Sequence, residues 1–199
     1  FIFIILILLL NNTQLQVYFI RFETIEPLIT LDDFTLLFTL FCIFCFINAF
    51  NMYEGINLQS GFYLFLFFII FSIKGIDILF FISLLIPLTL FLYNNYKSRI
   101  FLGNNGTYFL SYLISIYLIK SNIIFHTIVV EEILILLSVP GLDMLRLFLT
   151  RFINGKSPFL PDKNHIHHLL LKKYNQFTVS LIIIMLTVVP YLIFMLFLK

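Results

Sequence analysis

The stretch Phe34-Thr35-Leu36-Leu37-Phe38-Thr39-Leu40-Phe41-Cys42-Ile43-Phe44-Cys45-Phe46-Ile47-Asn48-Ala49-Phe50-Asn51-Met52 carries no charged residue, no proline and no glycine. Its apolar side chains run on without the alternation of a half-buried strand. It also approaches the roughly 20 residues a helix needs to cross a bilayer. Backbone groups in lipid must find partners within the chain, which leaves bundled helices or a closed barrel. Continuous runs of this kind select helices. Cys42 and Cys45 form a C-x-x-C in mid-span, where cysteine packs as a small apolar residue. The usual contexts of redox and metal pairs are missing.

Outward from this span the pattern repeats. The chain has 199 residues, of which 61% are hydrophobic and 11% charged, with a mean hydropathy of +1.08. Soluble domains carry roughly 25% charged residues, so a water-soluble enzyme is excluded. Further apolar spans occupy 60–73, 76–93, 107–120, 131–152 and 178–198, with a tight turn at Lys74-Gly75. Pro140-Gly141 marks a kink within one of them. Residues 1–10 read as the tail of a helix begun upstream. They have neither the basic n-region nor the small-residue cleavage site of a signal peptide. Gln16–Phe22 and Leu28–Leu31, flanking Glu23 to Pro27, read as a β-hairpin outside the bilayer. The expectation is one domain, 1–199: an all-α polytopic membrane protein with about seven transmembrane helices, counting the partial first one, and a small extracytoplasmic β-hairpin.

Alternating the spans sorts the loops onto two sides. One side collects Lys97, Arg99, Arg146, Arg151, Lys156, Lys163, Lys172 and Lys173, eight of the twelve basic residues. The other collects Glu23, Glu26, Asp32, Asp33, Asp77, Glu131 and Glu132, seven of the ten acids. By the positive-inside rule the first side is cytoplasmic. Three polar motifs then share the cytoplasmic face.

The first is Asn48-x-x-Asn51-x-x-Glu54, whose spacing of three places its side chains on one helical face. Gly55 after it reads as a left-handed helix cap. The second is Gly103-Asn104-Asn105-Gly106-Thr107, a turn sequence in which Thr107 caps the next helix. The third, Pro158 to Leu169, is the most polar part of the chain and holds Asp162, Lys163, His165, His167 and His168. His-x-His-His lacks the spacing of a zinc helix motif. With Arg151 and Lys156 nearby, anion binding suits it better; the plainer reading is a solvated basic loop. Asp143 and Arg146 read as an i,i+3 pair, and Glu131-Glu132 as markers of a helix N-terminus.

These motifs resemble those of the polyprenyl-phosphate N-acetylhexosamine-1-phosphate transferases. Asn48 to Asn57 resembles that family's N-x-x-N-x-x-D-G-x-D, and Phe101 to Thr107 its F-x-G-D-x-G-S. Gly155 to His168 resembles its G-x-S-P-F-x-P-D-R-x-H-I-H-H and points to the N-acetylglucosamine branch. The resemblance covers essentially the whole chain, as the C-terminal two thirds of such a protein, so the chain is expected to be N-terminally truncated relative to the family. It implies transfer of a sugar-1-phosphate from a UDP-sugar to a polyprenyl (undecaprenyl) phosphate, with release of UMP and with Mg²⁺ as cofactor. It further implies Glu54 and Asn104 as catalytic and metal-binding residues, and Asn48, Asn51, Asn57, Asp162, Lys163, His165, His167 and His168 as substrate-binding residues.

The chain departs from the family at Glu54, Asn57 and Asn104, where the family has aspartate. A neutral Asn oxygen attracts Mg²⁺ less than a carboxylate does. The rival expectation is therefore a catalytically impaired relative acting as a membrane scaffold or substrate-binding protein. Expected partners are the UDP-sugar, the lipid acceptor and the surrounding bilayer of a bacterial inner membrane, with homodimerisation left open and no nucleic acid.

Overall fold

The computed structural model describes residues 15–23, 29–155, 157 and 164–197. Strand β1 (Phe19–Ile20) pairs antiparallel with β2 (Ile29–Thr30), with Phe19 opposite Thr30 and Ile20 opposite Ile29. The expected hairpin is thus present as a two-residue ladder. It is moored to the helices by the Val17 amide, which donates to Thr39 Oγ1 at 2.8 Å.

The helices are α1 (Thr35–Tyr53), α2 (Gln59–Ile73), α3 (Ile78–Tyr96), α4 (Gly103–Ile123), α5 (Val130–Ile153), the short α6 (Ile166–Leu171) and α7 (Gln176–Phe197). A 3-10 turn, Asp32–Phe34, leads into α1. α1 packs on α4 and α5, α2 on α3 and α7, and α5 on α7. The core is an aromatic ladder. Tyr63 lies 5.0 Å from the Tyr53 ring and 5.0 Å from the Phe67 ring, and Phe71 lies 4.8 Å from Phe81. Such offset and edge contacts add to the burial of large rings. The Tyr63 hydroxyl carries the ladder across to α5 by donating to the Leu136 carbonyl.

The outward faces are as apolar as the inward ones. Leu79, Ile86 and Leu90 on α3, and Leu134, Leu142 and Phe152 on α5, are exposed, as lipid-facing side chains are. The protein is an integral membrane protein. Four of the described segments, Asp32–Tyr53, Ile78–Tyr96, Val130–Ile153 and Gln176–Phe197, are long and apolar enough to cross a membrane. α2 is short at 15 residues. α4 has the length, but its apolar run is broken by Thr107, Ser111, Ser115 and Ser121, all buried. Seven crossing helices are therefore more than the described residues display, and residues 1–10 lie outside them.

Three local expectations are corrected. Gly103-Asn104-Asn105-Gly106 is the first turn of α4 and not a turn before it. Thr107 therefore lies inside the helix and does not cap it; its hydroxyl donates to Asn51 Oδ1 at 2.8 Å. Glu132 is more than a helix-end marker. Fully buried, it pairs with Lys74 at 2.7 Å and accepts from the Tyr191 hydroxyl at 3.1 Å. α5 is one continuous helix with Pro140 inside it, as a kinked helix also is. The two sets of loops sort to opposite ends of the bundle. Lys74, Glu132, Arg21 and His126 meet at one end, and the three polar motifs meet at the other.

Candidate functional site

At that second end the α1–α2 loop is stitched to the α3–α4 loop. Glu54 Oε1 accepts from the Leu102 amide at 2.8 Å. Asn57 Nδ2 donates to Ser98 Oγ at 2.6 Å, and the Asn57 carbonyl accepts from Ser180 Oγ at 2.8 Å. Asn95 works in both directions, accepting from the Leu58 amide at 2.6 Å and donating to the Ile100 carbonyl at 2.7 Å. Leu58 has φ +71°, a left-handed conformation that disfavours any residue with a Cβ; its buried side chain and the Asn95 bond hold it there. Burial pushes the Glu54 carboxyl above the ordinary carboxylate value, while the Leu102 and Gly103 amides pull it back down.

The histidine segment is pinned from below by α5. Asp143 Oδ2 lies 2.8 Å from His165 Nδ1, and Asp143 Oδ1 accepts from Arg146 at 2.8 Å and from the Ile166 amide at 3.2 Å. Arg146 also donates to the Asn164 carbonyl at 2.6 Å. His165 and His167 stack with centroids 5.4 Å apart, and His168 sits 4.3 Å beyond. His167 closes the ring of loops by packing on Gly55. A Cβ placed at residue 55 would lie 1.9 Å from His167 Nε2. Gly55 is absent from the positive-φ residues, so it is there for space and not, as expected, for a left-handed cap.

Burial, followed by the neighbouring His168 and His165, pushes the His167 imidazole down to about 4, against the opposing pull of Asp143. His167 is therefore neutral near pH 7. The folded value lies below the ordinary 6.5, so the unfolded chain takes up this proton first as pH falls. The stability tied to a neutral His167 is complete above about pH 6.5 and is lost between about 6.5 and 4. Thermal unfolding measured across that window should show a steeper loss for the natural protein than for His167→Gln. Parallel curves would count against a buried neutral imidazole.

Beside the histidines Arg146, Thr150, Arg151, Asn154 and Asn164 line a recess of about 290 Å³, a basic wall suited to phosphate oxygens. Among the sequence-derived candidates, Asn51, Glu54, Asn57, His165 and His167 are drawn together in this network. His168 is half-buried beside it. Asn48 turns back on its own helix, donating to the Phe44 carbonyl at 2.7 Å. Asn104 is exposed on the first turn of α4, two residues beyond the amide that Glu54 holds. Asp162 and Lys163 lie outside the described residues. The sequence reading missed Asn95, Ser98 and the spatial role of Gly55. It placed Asp143 and Arg146 only in a local pair. The near-invisible signal for Asn95 is an amide at the end of a span.

Mg²⁺ binds through one or two carboxylates, with waters and substrate phosphates completing an octahedron. Glu54 supplies one carboxylate, with one oxygen already held by an amide. Asn104 adds a neutral oxygen close by in the chain. Among the described residues no group of three or more His, Cys, Asp or Glu gathers into a metal cage. The donor set thus fits a metal held largely by substrate phosphates, and it does not fit a resident metal bound by protein alone.

Taken together, the fold and this rim define a membrane-embedded helical protein with an anion-receptive polar end. The chain belongs to glycosyl transferase family 4, whose model matches residues 1–122. Its relatives include the undecaprenyl-phosphate alpha-N-acetylglucosaminyl 1-phosphate transferase of Thermotoga maritima, 29% identical over 145 residues, covering 69% of this chain and 44% of that protein. The Escherichia coli K12 protein of the same name is 30% identical over 160 residues, covering 71% of this chain and 42% of that protein. The chain therefore spans less than half the length of these curated relatives. The family match ends before the histidine segment.

Proposed function

We propose that the chain is part of a phosphotransferase that moves N-acetylhexosamine-1-phosphate from a UDP-sugar to polyprenyl phosphate, releasing UMP, in the synthesis of cell-envelope polysaccharide. The observation that carries this reading is the convergence of three separated loops at one end of the bundle. Glu54 is tied to Leu102, His167 is seated on Gly55, and a basic recess lies beside them. The charge distribution supports a cytoplasmic position for that end, at the bacterial inner membrane.

In this reaction an oxygen of the acceptor phosphate attacks the β-phosphorus of the UDP-sugar. The bond from that phosphorus to the bridging oxygen breaks, and UMP leaves with the electron pair. Catalysis of such a transfer is mostly positioning and charge stabilisation. Arg146 and Arg151 face the recess with fixed positive charge, and Asn154 adds an amide donor. Glu54 holds the start of α4, which fixes the first-turn amides next to Asn104. Mg²⁺ held by Glu54, Asn104 and the phosphates would supply charge neutralisation on the pyrophosphate. For the lipid, an apolar groove of about 320 Å³ runs between α1, α4 and α5. It reaches from Val17 and Asn122 at one end to Ala49 and Met144 near the rim, and it suits an isoprenoid chain.

The rival reading, a catalytically impaired relative that binds substrate or serves as a scaffold, is motivated by asparagine at positions 57 and 104. The assay is UMP release from UDP-N-acetylglucosamine with undecaprenyl phosphate and Mg²⁺, using the full-length protein. Asn104→Asp adds one charge. Two charges 4 Å apart interact by ~4 kcal/mol at an effective dielectric near 20 but by ~1 kcal/mol in water. Because Asn104 is exposed, the lower end applies, and about a tenfold rise in Mg²⁺-dependent turnover is expected. Turnover with no gain from Asn104→Asp would remove Asn104 from the metal site. Absence of both turnover and nucleotide binding in either form would favour the scaffold.

A further inference from the structure

We propose that Asp143 is the positioning residue of the histidine segment, acting through His165. The proposal deepens the transferase reading and rests on it for its kinetic part only. Asp143 lies within α5, in a stretch whose neighbours Leu142, Met144 and Leu145 are apolar. Its side chain is only 11% exposed. Pairing with Arg146 alone would leave half of the carboxylate unused. Instead both oxygens are taken by donors from the histidine segment as well: His165 Nδ1 at 2.8 Å on one, the Ile166 amide at 3.2 Å on the other.

A carboxylate that accepts from three donors has no proton of its own to give, so the proton in the Asp143–His165 bond belongs to Nδ1. That fixes the ring's tautomer and leaves Nε2 as the ring's unprotonated nitrogen, the arrangement by which a second group orients an imidazole. The constraint propagates. The His165 ring is parallel to that of His167 within 3°, and His167 rests on Gly55. Asp143 also adds a backbone anchor at the first residue of α6, so ring orientation and helix start are set by one carboxylate. Arg146, bonded both to Asp143 and to the Asn164 carbonyl, closes the same bracket from the recess side. Asparagine at 143 cannot reproduce this. It offers one acceptor, and its NH₂ would face either the Arg146 guanidinium, the Ile166 amide or the His165 N–H, donor against donor.

The test uses full-length protein with ¹⁵N-labelled histidine in detergent micelles, at about pH 8.5, well above the ordinary imidazole value. The natural protein should show His165 as the Nδ1–H tautomer, assigned by loss of its signals in His165→Gln. In Asp143→Asn that tautomer should give way to a mixture, while Asp143→Glu, which keeps a carboxylate, should retain it. In the transferase assay Asp143→Asn should raise the KM for the UDP-sugar on the order of 100-fold, with Asp143→Glu closer to the natural protein. His165 as the Nε2–H tautomer in the natural protein overturns the proposal outright, whether or not Asp143→Asn folds. So does an Asp143→Asn spectrum identical to the natural one. If the natural protein shows no turnover, the transferase reading falls, and the tautomer measurements still decide the role of Asp143.

Discussion

Lys74→Met is expected to destabilise the full-length protein by about 3–5 kcal/mol, the usual consequence of removing one partner of a buried ion pair. Lys74 Nζ lies 2.7 Å from Glu132 Oε2, and it also donates to the Thr127 carbonyl at 3.2 Å. Glu132 has no exposure at all, and the Lys74 side chain has 11%. Without the ammonium, Glu132 keeps the neutral Tyr191 hydroxyl at 3.1 Å but loses the positive charge that offsets its own, and a neutral donor does not replace it. The loss should come from the stranded carboxylate more than from the missing bond. Lys74→Met combined with Glu132→Leu should therefore recover most of the stability, since apolar replacement of a whole buried pair is often neutral. Thermal unfolding in detergent across the double-mutant cycle measures this. Additive losses in the double variant would show that the pair contributes little as a pair.

A second large effect is expected at Gly55. Its backbone conformation is open to any residue, so Gly55→Ala carries no backbone strain, and its only consequence is steric. The new Cβ would lie 1.9 Å from His167 Nε2 and 2.2 Å from its neighbouring ring carbon. A ring on an open surface would swing away. This one is 2% exposed and stands between His165 and His168, so relief must move the whole segment. Displacement of a positioned group by about 1 Å is enough for a loss on the order of 100-fold in turnover, with little change in overall stability. Activity of Gly55→Ala equal to that of the natural protein would mean that the seating of His167 on Gly55 has no part in catalysis.

Gly55 also shows where reading the sequence stopped. Its place after Asn48, Asn51 and Glu54 was visible, because helical spacing is a local property. Its reason was not, because the group it makes room for belongs to another segment of chain. Asp143 repeats the lesson. Arg146 one turn away was predictable, whereas His165 and the Ile166 amide come together with it only once α5 and α6 are folded. The spans were legible because continuous apolar runs leave few alternatives, and the placement of the three motifs at one end followed from hydropathy and charge together. α4 was misjudged at its start because Gly-Asn-Asn-Gly favours turns in isolation. Glu54 overrides that preference by accepting the Leu102 amide where a local cap would otherwise be needed. Glu132 reads in the sequence as a helix-end acid, since nothing near it announces Lys74.

The buried hydroxyls of α4 have a consequence for how the protein is made. Thr107 bonds to Asn51, while Ser111 and Ser115 give their protons back to the carbonyls of Thr107 and Ser111 at 2.6 and 2.8 Å. A segment so furnished gains little by entering lipid on its own, because its small polar side chains offer poor transfer energy to a hydrocarbon phase. What it can do is lie closely along a helix already in place, as small residues do at membrane helix contacts. α1, its packing partner, emerges earlier in synthesis. Biogenesis of this bundle is then a matter of sequence in time: the apolar spans α1 and α3, which precede α4, enter first, and α4 partitions into a site that protein, and not lipid, has prepared.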